Sequence, residues 1–191
     1  MRREQILCAA ADMFLAQPYE AVNMEGLAEI IGVTKPALYR YFRGKEVLFL
    51  ALFEEELARL KQAFEALGQP EDLGLVVAQK FAAQPLYCRL SAILHIVLER
   101  DLTYDEALAF KLSLKQHIAE IGQSLSDTLQ TAELSSVYEK LMQAQQALIG
   151  VWHMTHPAGA VEKVLERKEL ALFNQDFETV LAAHLNAILR P

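Results

Sequence analysis

Between Glu29 and Glu46 the chain carries Lys35, Arg40, Arg43 and Lys45 and no acidic residue, with Thr34, Tyr39 and Tyr41 interleaved. Ammonium, guanidinium and hydroxyl donors crowded into one short stretch match the acceptors of a phosphate backbone, and a Lys near a helix start can also reach the acceptor edge of guanine. The chemistry this suggests is binding of double-stranded DNA. Catalysis lacks its usual parts: no nucleophile sits beside a base, no Gly-rich loop offers to cradle phosphate, and His153-x-x-His156 has no third ligand to complete a metal site. No cofactor or metal is therefore expected, and the chain does not read as an enzyme. The formal net charge of −7 opposes nucleic-acid binding only as an average. Residues 1–50 balance Arg2, Arg3, Lys35, Arg40, Arg43 and Lys45 against Glu4, Asp12, Glu20, Glu25, Glu29 and Glu46, so the whole deficit lies in residues 51–191.

Donors of this kind read DNA only when a rigid element presents them. The order Leu27-Ala28-Glu29-Ile30-Ile31-Gly32-Val33 followed by Thr34-Lys35-Pro36-Ala37-Leu38-Tyr39-Arg40-Tyr41-Phe42 supplies one. Ala28 lets two short helices approach, Gly32 permits a turn with positive φ, and Val33, Leu38 and Phe42 close a small core. The second helix then turns Lys35, Pro36, Tyr39 and Arg40 outward, as a helix-turn-helix does in a major groove. Lys45, at the start of the next helix, could join the free amides there in holding an anion. The plainer alternative is that Tyr39 to Phe42 is the aromatic core of an ordinary helical hairpin.

The stretch from Met24 to Leu48 resembles the N-terminal signature of the TetR (tetracycline repressor) family of transcriptional regulators, and the likeness extends over about residues 4–55. It implies that Thr34, Lys35, Pro36 and Ala37 approach bases while Tyr39, Tyr41 and Lys45 grip phosphates. Asn23 stands where the family usually has Ser or Thr with a hydroxyl on a phosphate, and Gln17-Pro18-Tyr19 replaces the usual Gly before an aromatic. Arg2 and Arg3 could add a short arm. The resemblance further implies a homodimer on a palindromic operator, released by a small-molecule effector that the sequence does not identify.

The rest of the chain is rich in Ala, Leu, Glu, Gln and Lys with apolar residues recurring at three and four, so the whole reads as all-α. The expectation is an N-terminal three-helix DNA-binding domain at 1–50 and a helical effector-binding and dimerisation domain at 51–191. Helices are expected at about 3–16, from Asn23 to Gly32, from Thr34 to Arg43, from Lys45 to Leu67, and at 71–83, 86–100, 104–130, 136–156 and 174–189. Residues 157–173 read as a loop with a short helix at Val161 to Glu169. The run Leu90 to Leu98 is apolar almost all round, which predicts a central helix covered on every side.

Tyr87, Arg89, His95, Glu99, Phe110, Gln145 and Trp152 are polar or aromatic residues on otherwise apolar helices, and of these Tyr87, His95, Glu99, Phe110, Gln145 and Trp152 are the expected effector contacts. By the resemblance, the helices at 136–156 and 174–189 form the dimer interface, through Leu148, Val151, Phe177, Leu181, Leu185 and Ile188. The plainer alternative keeps both faces in the intrachain core. Cys8 and Cys88 read as buried thiols. No leader and no long uncharged apolar run is evident, so the expected setting is the cytoplasm, with no membrane partner. The competing class is a helical adaptor that binds protein through its apolar faces and does not read DNA.

Overall fold

The computed structural model describes residues 2–65 and 67–190, and among these no strand occurs. The order is α1 (Arg2–Ala16), a 3₁₀ turn (Tyr19–Ala21), α2 (Met24–Ile31), α3 (Lys35–Tyr39), α4 (Lys45–Glu65), α5 (Leu73–Ala82) and α6 (Pro85–Ile93). A π turn (Leu94–Leu98) continues α6. Then come α7 (Tyr104–Leu129), α8 (Leu134–Thr155), α9 (Ala160–Leu165), a 3₁₀ turn (Lys168–Phe173) and α10 (Phe177–Ile188). The expected domain segments include Met1, Ala66 and Pro191, which lie outside the described residues. The expected boundary at residue 50 falls inside α4, which runs unbroken across it.

Side-chain caps decide where these helices start. Oxygens of Asn23, Asp72 and Asp176 each accept from the amide three residues on, at 2.8 Å, and Thr34 Oγ1 does so from Ala37 at 3.4 Å. Before α7, Thr103 Oγ1 accepts from the Glu106 amide while the Glu106 carboxylate accepts from the Thr103 amide at 2.8 Å, a complete capping box. Gly32 ends α2 with φ 71° and ψ 40°, the left-handed conformation the turn to α3 requires.

Long-range packing then fixes the layers. Helices α1 and α2 enclose the N-terminal core with α3 and the start of α4, while α4 continues between α6 and α7. Helix α8 lies against α6 and α7, and α10 packs mainly on α5 and α8. Along α4 the side chains from Leu48 to Phe53 are all buried, so this turn and a half has no solvent face.

Several sequence-based expectations need correction. The helix expected at 86–100 is not regular and is not covered on every side. The ladder widens at Leu94, whose carbonyl accepts from the Glu99 amide at 3.1 Å, and Ile96 is 56% exposed while Leu90, Leu94 and Leu98 are buried. Helix α8 begins at Leu134, ahead of Ser135-Ser136, and α10 begins at Phe177 behind the Asp176 cap. In 157–173 the short helix expected at Val161 to Glu169 is present as α9 (Ala160–Leu165), followed by a 3₁₀ turn (Lys168–Phe173), and neither has a buried residue. Cys8 is exposed, and only Cys88 is buried, where its thiol pKa is pushed up to about 12. Arg2 and Arg3 are within α1, and Arg3 pairs with Glu55 at 3.2 Å, so no basic arm extends from them. No single helix among the described residues is long and apolar enough to cross a membrane.

At the α5–α10 contact, Gly74 lets the backbones meet: its amide donates to Asn186 Oδ1 at 3.0 Å, and a Cβ there would stand 2.6 Å from the Asn186 amide nitrogen. Because that neighbour is backbone, Gly74→Ala must push the helices apart. It is expected to cost about 1–3 kcal/mol of stability, read as a lower urea midpoint at unchanged slope.

Candidate nucleic-acid interface

Leu38 and Phe42 are buried, and their burial fixes the rotation of α3. Thr34, Lys35, Pro36, Tyr39, Arg40 and Tyr41 are consequently exposed on one outward surface, with Ala37 half-buried behind it. The hydroxyls of Tyr39 and Tyr41 and the guanidinium of Arg40 are therefore available to phosphate oxygens. Asn23, by contrast, is occupied locally, because its Oδ1 caps α2 and its Nδ2 donates to the Ala21 carbonyl at 3.4 Å.

Lys45 departs from the expectation that it grips phosphate from a helix start. Its ammonium donates to the carbonyls of Tyr19 at 2.6 Å and Val22 at 2.8 Å, and lies 3.7 Å from the Tyr19 ring centroid. Burial lowers its pKa. The side chain holds the turn between α1 and α2, which leaves one of an ammonium's three donors free. Lys35 is also engaged: it forms a short ion pair with Glu25 across the helix-turn-helix, with both side chains largely exposed. A carboxylate thus stands on the surface that would meet DNA, where it both masks Lys35 and repels phosphate.

Two arginines connect this unit to the rest of the chain. Arg43 makes a two-pronged contact with the Glu106 carboxylate, both bonds at 2.7 Å, and donates to the Asp101 carbonyl at 3.2 Å. The Glu106 pKa falls from its ordinary 4.5 to about 2, chiefly through the hydrogen bond from Arg43 and then through bonds from Thr103. Arg89 on α6 donates to the carbonyls of Leu15 at 3.1 Å and Gln17 at 3.0 Å, over the Phe14 ring. Sequence reasoning counted Arg43 among the basic residues and gave Arg89 no such role, since their partners lie 63 and more than 70 positions away.

Behind these bridges lies a cavity of ≈ 280 Å³ between α4, α5, α6, α7 and α8. Of the expected effector contacts, Tyr87, His95 and Gln145 line it, and Tyr87 donates to Gln145 Oε1 at 2.9 Å. Burial raises the pKa of Tyr87, so its hydroxyl keeps its proton. Glu99 lies just behind the lining, taking Lys111 at 2.6 Å and facing His95 Nδ1 at 3.3 Å. Phe110 is buried against Phe53, with ring centroids 6.1 Å apart, rather than on the cavity surface. Trp152 is elsewhere, stacked on His156 at 3.6 Å and edge-on to Phe177. His153 contacts the Ala92 carbonyl at 3.2 Å, so the two imidazoles of the His153-x-x-His156 spacing serve separate contacts.

Sequence reasoning missed Lys111, which does line the cavity. Its signal was present, because Lys111 starts the inward stripe Leu114, Ile118, Ile121, Leu125 at helical spacing.

The expected dimer residues divide. Leu148, Val151, Leu181 and Leu185 are buried within a single chain and have no surface to offer a partner, so they belong to the intrachain core. Phe177 and Ile188 are half-buried.

Comparison with known proteins adds to this geometry. Residues 6–52 match the family model described as bacterial regulatory proteins, tetR family, and residues 50–190 match the model described as tetracyclin repressor-like, C-terminal domain. The chain is 25% identical over 178 residues to the nucleoid occlusion factor SlmA of Marinobacter nauticus, covering 93% of this chain and 90% of that protein. It is 30% identical over 128 residues to the HTH-type transcriptional repressor Rv1474c of Mycobacterium tuberculosis, covering 67% of this chain and 64% of the relative. In fold it is similar to a tetR-family transcriptional regulator from Streptomyces coelicolor, with a TM-score of 0.60 at 18% identity, covering 98% of this chain and 88% of that one.

Two outcomes are expected. Removing the masking carboxylate by Glu25→Gln should tighten duplex binding by up to about fivefold, measured by anisotropy at fixed salt; unchanged affinity would show that Glu25 neither masks Lys35 nor repels the duplex. Glu106→Gln keeps a capping-box acceptor but loses the charge. Since the folded Glu106 pKa is depressed, its contribution is present above 4.5 and is lost as pH falls towards 2. Wild type and variant should accordingly differ in urea midpoint at neutral pH and converge in acid.

Proposed function

Since the chain belongs to the tetR family of bacterial regulatory proteins, we propose that this helix-turn-helix transcriptional regulator is a repressor, held as a homodimer on a palindromic operator and released by a small molecule entering the cavity. The observation that carries the reading is the Arg43–Glu106 bridge. It joins the end of the reading unit to the first turn of α7, and the same helix supplies the wall of the cavity from Lys111 to Leu125. A ligand that shifts α7 therefore acts on the element that positions α3. Binding energy that differs between the two arrangements lowers operator affinity by linkage.

Two copies are required on this reading because α3 has only five residues and reaches few base pairs. A dimer places two such helices about 34–36 Å apart, in successive major grooves on one side of the duplex. With Leu148 and Leu181 in the intrachain core, the partner-facing surface falls to the outer sides of α8 and α10. There Gln146, Gly150, Ala183 and Ala187 are exposed, with Phe177 and Ile188 at the margin. In this reading Thr34, Lys35, Pro36 and Ala37 face bases, and Tyr39, Arg40 and Tyr41 face phosphates. Asn23 and Lys45 act indirectly, by holding α2 and the turn before it.

Selection of bound sequences from a random duplex library at near-physiological salt tests this. A palindrome should be enriched, and Lys35→Ala should relax preference at one or two symmetric positions by roughly 5–150-fold, the equivalent of about 1–3 kcal/mol. Weak, sequence-blind binding by the wild type would overturn the reading.

A further inference from the structure

The residues that line the cavity extend along two helices. They run on α7 from Lys111 to Leu125 and on α4 from Phe53 to Phe64, spans of about 21 Å and 16 Å at the rise of an α-helix. A volume of ≈ 280 Å³ lies near the low end for small-molecule sites, commonly about 300–1,000 Å³. Spread along that length, it leaves a tube rather than a chamber. That proportion suits a straight chain better than a fused ring system.

Polarity is confined to one end. Tyr87 stacks on Phe53 with centroids 5.4 Å apart and holds Gln145, while Phe110, beside Lys111, also meets Phe53. His95 and Lys111 converge on Glu99. The other end, around Phe64, Leu125 and Leu189, presents only carbon. The polar end is also the opening, since the side chains of His95 and Lys111 are 52% and 48% exposed. From there an apolar surface groove runs along α7 past Lys115.

The charges at the opening choose the head group. Both Glu99 oxygens are engaged, one by Lys111 and one facing His95. Lys111 commits one hydrogen bond to Glu99, which leaves donors on its ammonium, and Lys115 adds a second cation one turn further. An incoming anion meets the Lys111 ammonium beside an occupied carboxylate, with Lys115 in the adjoining groove, whereas an incoming cation finds no free carboxylate oxygen on Glu99.

Building on the effector reading, we propose that the cavity binds a straight-chain amphiphile with an anionic head: an unbranched acyl or alkyl chain along α4 and α7, and a carboxylate or phosphate at Lys111. The head would sit on the same helix as Glu106, five residues further along α7.

Calorimetry on the full chain, with n-alkanoates from hexanoate to hexadecanoate, tests this. Affinity should rise about fourfold for each added methylene until the tube is filled, then level off. Dodecyl phosphate should bind comparably to dodecanoate if the site reads charge alone, and at least about tenfold more weakly if it reads a carboxylate; either supports the proposal. Dodecan-1-ol should bind about tenfold or more weakly, and dodecyltrimethylammonium more weakly still. Lys111→Gln should abolish the preference for dodecanoate over the alcohol while leaving the alcohol's affinity in place. Leu114→Trp should block all of these ligands while retaining duplex binding, which reports that the variant is folded. Affinity independent of chain length, or a cation bound as tightly as the carboxylate, would overturn the proposal. Duplex anisotropy separates this from the wider reading. Dodecanoate that binds the cavity and leaves DNA in place would sink effector release and not the ligand class, and release by some other compound with no alkanoate binding would do the reverse.

Discussion

The rest of the structure depends on one turn and a half of α4, from Leu48 to Phe53, that is buried on every side. Leu48, Phe49, Leu50, Ala51, Leu52 and Phe53 are consecutive and all buried, a pattern that forces a helix to be surrounded. Phe49 faces the N-terminal unit, with Phe14 and Tyr19 edge-on at 5.2 Å and 5.0 Å. Phe53, one turn later, faces Tyr87 and Phe110 at the polar end of the cavity. A single turn of one helix therefore belongs to both cores. Close-packed interiors do not deform gradually, so this turn transmits displacement instead of absorbing it.

What could be read from the sequence was whatever is decided locally. Asn23, Thr34 and the Thr103–Glu106 box cap helices because the acceptor and the orphan amide lie three residues apart, a spacing visible in one dimension. Gly32 and the buried pair Leu38 and Phe42 likewise specify the turn and the outward face of α3 without reference to anything distant. Periodicity failed where it had to say what covers an apolar face. It identified Leu181 and Leu185 on α10 but could not tell α5 and α8 of the same chain from a second chain, and the nearer partner took them. It also read Leu90 to Leu98 as one regular helix. The backbone instead widens into a π turn at Leu94, and the run is covered on one side only, with Leu90, Leu94 and Leu98 inside and Ile96 in solvent.

Charged residues were misread in the same way, for a reason that lies in how ion pairs earn their place. Most exposed pairs contribute about 0–1 kcal/mol and leave no trace in patterning. Lys45 was expected at a phosphate because it begins a helix, yet the turn from Tyr19 to Val22 leaves two carbonyls within its reach. Arg89 resolves a similar shortage: the last carbonyls around the end of α1 have no helical partner, and its guanidinium supplies donors to Leu15 and Gln17. Long cationic side chains go to unsatisfied acceptors, and those are placed by tertiary structure.

The two arginine bridges differ in kind, and that difference bears on how a signal could pass. Arg89 ties α6 to α1 through neutral carbonyls over an aromatic ring, a contact that tolerates small shifts in direction. Arg43 and Glu106 meet through two parallel bonds, whose planar geometry fixes orientation as well as distance. Rotating the first turn of α7 would strain the second contact before the first. Because this contact is exposed to solvent, what it contributes is a fixed orientation rather than strength. On the proposed reading, the packed run from Leu48 to Phe53 would resist bending, so the N-terminal unit would tilt about Phe49 and carry α3 with it.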